Sequence, residues 1–217
     1  MKRKKRLLAA GCFLVLFIAL TALVSTVDVA PIGPAGTSVG LSRVNGAVHD
    51  SLGFNPAWYR VTQWLGYISI LTAVCIAAAG LIQAIRRKGL LRADRELIML
   101  GCIYAAVAVL YILFEKVIIN YRPVIMPDST EPEASFPSTH TMLSCVVMGT
   151  ALMLTGRYIR SAALRRAAQA GCALVLALTV IGRLLSGVHW LTDIAGGLLI
   201  SAALLALYAG IREPAGQ

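Results

Sequence analysis

The chain has 217 residues, 58% of them hydrophobic and only 14% charged, with a mean hydropathy of +0.77. That balance excludes a soluble globular domain and predicts an all-α, polytopic membrane protein. A net charge of +10 does not indicate nucleic acid, because the cations fall in short blocks between apolar runs, the pattern that sets membrane topology.

MKRKKR opens the chain and is followed by an apolar run at 7–27, long enough at roughly 20 residues to span a ~30 Å hydrocarbon core. A signal peptide has the same beginning, but no small-x-small cleavage site follows and five more apolar runs do, so an uncleaved first helix is expected. Residues 28–63 are the least apolar stretch and read as a loop, with a short interfacial helix over 55–64. Trp58, Tyr59 and Trp64 suit an aromatic belt at headgroup level, and His49 reads as solvated. Further spans are predicted at 64–85, 96–119, 138–154, 170–185 and 189–211. They are separated by the basic turn RRKGLLRADR, a polar loop at 120–137 and the basic stretch RYIRSAALRR. Six helices in one bundle, forming a single membrane domain over 1–217, are therefore expected.

Fifteen of the twenty lysines and arginines lie at the N-terminus, in the two basic connections and at Arg212. By the positive-inside rule both termini are cytoplasmic, and 28–63 is extracytoplasmic. The five minority cations, Arg43, Arg60, Lys116, Arg122 and Arg183, fall on the opposite face, and the last three lie in polar segments. The five cysteines lie inside apolar runs without paired spacing and read as packing residues. Three histidines with no His/Cys cluster make a zinc site improbable, so no metal and no cofactor are expected.

Three polar segments share the outer face: KVIINYRP from Lys116, FPSTH ending at His140, and GRLLSGVHWLTD from Gly182. Polar groups at the edge of a bilayer are costly, so they mark function by default. On a helix, His189 and Asp193 lie one turn apart on one face, where the carboxylate can hold Nδ1–H and leave Nε2 free as nucleophile or base. Arg183 lies about 240° round an unbroken helix from His189, so Ser186-Gly187 reads as the break that lets them converge. Taken singly, each segment has a plainer explanation. Lys116 reads as a snorkelling helix-end lysine, Ser138-Thr139 as a hydroxyl cap, and His189 as a satisfied histidine near a helix end. Together they supply cations, hydroxyls at a helix start, two histidines and a carboxylate, which is what phosphoryl transfer without a metal needs.

In these residues the sequence resembles the type 2 phosphatidic acid phosphatase family, which shares its site with vanadium haloperoxidases. The family's signatures are Lys, six residues, Arg-Pro; then Pro-Ser-Gly-His; then Ser-Arg, five residues, His, three residues, Asp. Arg183, His189 and Asp193 match the third in spacing, with Gly182 in place of serine. The second is met by Pro137, Ser138, Thr139 and His140, with threonine in place of glycine. In the first, Arg122-Pro123 matches, but five residues separate Lys116 from Arg122 and the strict spacing falls on Glu115. The match covers residues 115–195 by motif.

The resemblance implies a membrane lipid phosphatase in which His189 attacks phosphorus, Asp193 orients it, and His140 serves the leaving group and then water. Arg122, Arg183, Ser138, Thr139 and Lys116 would hold the phosphoryl oxygens. The expected partners are the bilayer and a lipid phosphate, with undecaprenyl diphosphate first. Phosphatidic acid, phosphatidylglycerol phosphate and a lipid A phosphate meet the same physical demands. The implied setting is a bacterial inner membrane with the site on its outer side. Two other classes fit the same residues: a lipid phosphotransferase, and a transporter or scaffold that binds anions without chemistry.

Overall fold

The protein is described by a computed structural model over residues 1–126 and 129–212; positions 127–128 of the expected polar loop and 213–217 at the end of the single domain lie outside the described residues. It is all-helical. Six helices are long and apolar enough to cross a membrane: α1 (Lys2–Thr26), α3 (Pro56–Arg86), α4 (Arg95–Lys116), α5 (Thr139–Tyr158), α6 (Ala162–Leu185) and α7 (Leu191–Ile211). A shorter helix, α2 (Ser42–Leu52), lies in the first connection.

Two boundaries differ from expectation for local reasons. Asn55 caps α3, its Oδ1 accepting from the N–H groups of Ala57 and Trp58, with Pro56 at the first helical position. The second span therefore begins eight residues before Trp64, and the short helix expected at 55–64 is its first two turns. The separate short helix is α2 instead. Likewise Ser161 caps α6 by accepting from Leu164 N–H, so much of the basic stretch RYIRSAALRR is already helical.

Most of α5 and half of α7 are enclosed by neighbours, whereas α1, α3, α4 and α6 keep most of their surface outward. The central pair approaches closely at glycines. Gly149 faces Leu205, Gly196 faces the Phe136 ring, and Gly197 faces the Ser138 carbonyl. Small residues allow such contact where no hydrophobic effect drives helices together. Two pairs of interior hydroxyls bond across helices, Ser69–Ser144 and Tyr104–Thr150, both at 2.9 Å.

Alternation of the spans gathers the basic segments at one end, where Arg6 bonds the Ala209 carbonyl and Arg157 pairs with Glu96. The ends of α4 and α6 and the starts of α3, α5 and α7 meet at the other. There α6 stops at Leu185 and Gly187 takes φ +65, where an added Cβ would run into the Gly53 carbonyl. The chain turns at that point because no side chain is in the way. Gly187→Ala is therefore expected to cost about 1–3 kcal/mol and lower Tm by several degrees, readable in a thermal melt of the purified protein; an unchanged Tm would contradict this.

Candidate active site

Arg183 is the centre of the polar end. It projects inward from the last turn of α6 and is fully buried. Among the described residues no carboxylate pairs with it. One terminal nitrogen donates to Thr62 Oγ1 at 3.3 Å. The other lies 3.0 Å from His140 Nδ1 and 3.4 Å from His189 Nε2. The Tyr59 ring lies 5.7 Å from its central carbon, in cation–π range.

A guanidinium has no acceptor, so these contacts settle the tautomers. His140 Nδ1 and His189 Nε2 must both accept. His189 then carries its proton on Nδ1, which lies 3.4 Å from Asp193 Oδ2. No hydrogen bond joins them at that distance; the carboxylate lies beside the ring, and such contacts are often long in sites without substrate. The Nε2 lone pair points at the cation. Burial, followed by the charges of Arg183 and Arg122, pushes the His189 imidazole well below its ordinary range. The ring is thus kept neutral, the state a nucleophile requires.

The His189–Asp193 contact is not the one-turn helical contact expected, because His189 precedes α7. Trp190 is the N-cap, and its backbone N–H donates to the same Asp193 Oδ2 at 2.9 Å. Asp193 thus closes the helix start and faces the histidine at once. The Ser135 and Asn120 side chains face this carboxylate, and the Ser135 carbonyl faces the imidazole.

A cavity of about 210 Å³ opens beside these groups, lined by Arg122, Glu133, Thr139, His140 and His189 among others. Arg122 Nε lies 3.1 Å from a Glu133 carboxylate oxygen. Ser138 is buried and serves as the α5 cap, accepting from Thr141 Oγ1 at 3.0 Å, so its hydroxyl faces the helix start. Thr139 and His140 reach the cavity from the first turn. Lys116 is exposed at the end of α4 and does not line the cavity; Glu115, at the strict motif spacing, does. The His49 ring is not solvated but packs edge-on against Trp190 at 5.3 Å, with Nδ1 buried.

The PAP2 superfamily model matches residues 95–216, more than half of the chain. The chain belongs to the PAP2 superfamily. No curated protein matches its sequence. Its fold is similar to one described as "the first transmembrane PAP2 type phosphatidylglycerolphosphate phosphatase from Bacillus subtilis". The TM-score is 0.63 over 93% of this chain and 94% of that one, at 20% identity. At that identity the likeness is one of fold, and the fold is that of a PAP2 membrane phosphatase.

Within the PAP2 match lie Arg122, His140, Arg183, His189 and Asp193; outside it lie Tyr59, which the sequence analysis placed in an aromatic belt and which instead faces Arg183, and Thr62 and Asn45, which the sequence did not single out. Thr62 had a faint signal, as a hydroxyl at the edge of an apolar run. Asn45 sits in the loop-like stretch and had none.

A buried cation without a counter-anion is costly, and an anion that fills the gap relieves that cost. Inorganic phosphate at about 100 times its Kd is therefore expected to stabilise the wild type by about 2.7 kcal/mol, seen as a raised Tm. Arg183→Met should abolish the shift, whereas Lys116→Ala should keep it. An equal shift in Arg183→Met would contradict this assignment of the anion site.

Proposed function

We propose that this PAP2 protein is an integral-membrane phosphatase that removes a phosphate from a lipid mono- or diphosphate through a phosphohistidine. The observation that carries the reading is Arg183, buried, joined to both histidines and, among the described residues, without a carboxylate partner. A phosphoryl group that displaces the contact between Arg183 and His189 Nε2 would take the guanidinium as its partner and leave the Nε2 lone pair free to face phosphorus.

In the first step Nε2 bonds to phosphorus, the bond to the leaving oxygen breaks, and His140 gives that oxygen a proton. The incoming phosphate replaces Nδ1 of His140 as a partner of Arg183 and brings the negative charge that lets His140 carry the extra proton. In the second step His140 takes a proton from water, the oxygen bonds to phosphorus, and the N–P bond breaks to restore His189 and release phosphate. Arg122 and Arg183 offset the charge of the transferring group. Phosphate monoester hydrolysis has among the highest barriers that enzymes overcome. General acid–base catalysis supplies only about 10²–10⁴ of the acceleration, so positioned charge must supply most of it. The cations of the site are guanidiniums, and the reaction is proposed to need no metal.

An apolar groove of about 860 Å³ runs between α3, α4 and α5 and meets the phosphate cavity at Tyr111, Thr139 and His140. Its rim residues Tyr67, Val74 and Ile112 are exposed on the outside of the bundle. A lipid tail in this groove would bring its phosphoryl-bearing oxygen to His140, which supports the general-acid role. We assign the site to the extracytoplasmic face, because the opposite end holds fifteen of the twenty basic residues, and the membrane to a bacterial inner membrane. Undecaprenyl diphosphate is the proposed substrate, by analogy with compact bacterial members of the family. Phosphatidylglycerol phosphate is the second reading, favoured by the fold neighbour.

With purified protein and a panel of lipid mono- and diphosphates, phosphate release is expected to survive EDTA. It should drop by several orders of magnitude in His189→Ala and Asp193→Asn. Normal turnover by His189→Ala would sink the assignment, and transfer of phosphate to a lipid acceptor in preference to water would make the protein a transferase.

A further inference from the structure

The His189–Asp193 pair is held in place from a part of the chain that the family match does not reach. The first N–H groups of any helix lack intrahelical partners. The N-cap of α7 is Trp190, and an indole has no acceptor to offer them. Asp193 takes the Trp190 N–H. The N–H of Thr192 is taken by Asn45, on α2, whose Oδ1 accepts it at 3.2 Å. The same amide donates through Nδ2 to Thr192 Oγ1 at 2.9 Å and to the Gly40 carbonyl at 2.8 Å. Asn45 is fully buried. One turn further along α2, His49 packs on the Trp190 ring, whose indole N–H donates to the Tyr121 carbonyl at 2.7 Å.

We propose that Asn45 is a positioning residue for the His189–Asp193 pair: it caps α7 from another helix and so fixes the turn that carries the carboxylate. Asn45 does not line the phosphate cavity, and its amide bonds Thr192 and Gly40. It acts through Thr192, which stands directly before Asp193. An amide suits the position because it accepts one bond and donates two. Alanine offers neither, and aspartate cannot donate. If the first turn of α7 slackens, Asp193 Oδ2 drifts from an Nδ1 already 3.4 Å away, and the Nε2 lone pair loses its aim. The kinetic consequence rests on the phosphatase reading above; the geometric one does not.

The test uses the full-length protein in detergent with four variants: Asn45→Ala, Thr192→Val, Thr192→Ser and, as a control on the exposed face of α2, Val44→Ala. Three quantities are read: kcat and KM on a lipid phosphate, Tm, and the ring resonances of the chain's three histidines after ¹⁵N-histidine labelling. Asn45→Ala is expected to lower kcat about 10- to 100-fold, the usual cost of removing a group that orients an active-site ligand, while KM stays within about threefold. The His189 ring resonances should move in the same variant. Thr192→Val should lose activity in the same direction, and Thr192→Ser, which keeps the hydroxyl, should restore it; Val44→Ala should match the wild type. A folded Asn45→Ala protein with wild-type kcat and unmoved His189 resonances would overturn the proposal, as would losses that follow Tm alone. Should Asn45→Ala fail to fold, Thr192→Val decides by the same two readouts, since it keeps the backbone bond to Oδ1. Should the wild type hydrolyse no lipid phosphate, the phosphatase reading fails and the ring resonances alone decide whether Asn45 positions the pair.

Discussion

The structure depends on placing one guanidinium where, among the described residues, no carboxylate neutralises it. Taking such a charge out of water costs several kcal/mol even after relaxation. Among the described residues the partners of Arg183 are neutral: a threonine hydroxyl, the face of a tyrosine, and two imidazole nitrogens. Each is weaker than an ion pair. A carboxylate would have been the more stable choice, and it would also have filled the space that the proposed phosphate would take. Arg122 shows the contrast, because Glu133 lies 3.1 Å from its Nε at the wall of the same cavity. The two arginines are thus not equivalent: Arg122 has a carboxylate beside it, and among the described residues Arg183 has none.

The corner between α6 and α7 turns that cation into a chemical site. On a continuous helix Arg183 and His189 would point apart. A C-cap at Ser186 and a left-handed Gly187 reverse the chain within a few residues, and the Ser186 carbonyl is taken by the Asn55 N–H. Beyond the corner, a single carboxylate serves two purposes. Asp193 closes the helix by accepting the Trp190 N–H and faces the His189 ring with the same oxygen. The geometry of the histidine is therefore as secure as the start of α7, and that start is held by α2 and by the Tyr121 carbonyl.

The six spans were legible because runs of about 20 apolar residues with basic turns leave few alternatives. His140, Arg183, His189 and Asp193 were legible because charge inside an apolar chain stands out. What failed to show was anything decided by tertiary partners. His49 has the same local sequence whether solvated or packed on Trp190. Asn45 looks like a loop residue, since its role depends on Thr192, 147 residues away. The start of α3 was missed because polar residues near Asn55 masked a good cap followed by proline. Lys116 drew attention by its charge, yet a one-residue offset turns a helical side chain by about 100°, and Glu115 faces the cavity instead. Two carboxylates on that wall make it less positive than the motif alone suggests.

The central claim is that the neutral His189 ring, aimed at the Arg183 anion site, is the atom to which phosphorus bonds. The most direct test is to quench the enzyme during turnover of a ³²P-labelled lipid phosphate and map the label by peptide mass spectrometry. The account predicts an acid-labile, alkali-stable phosphate on the peptide containing His189, with none in His189→Ala. Label on His140, or full turnover with no covalent phosphate at any quench time, would contradict it.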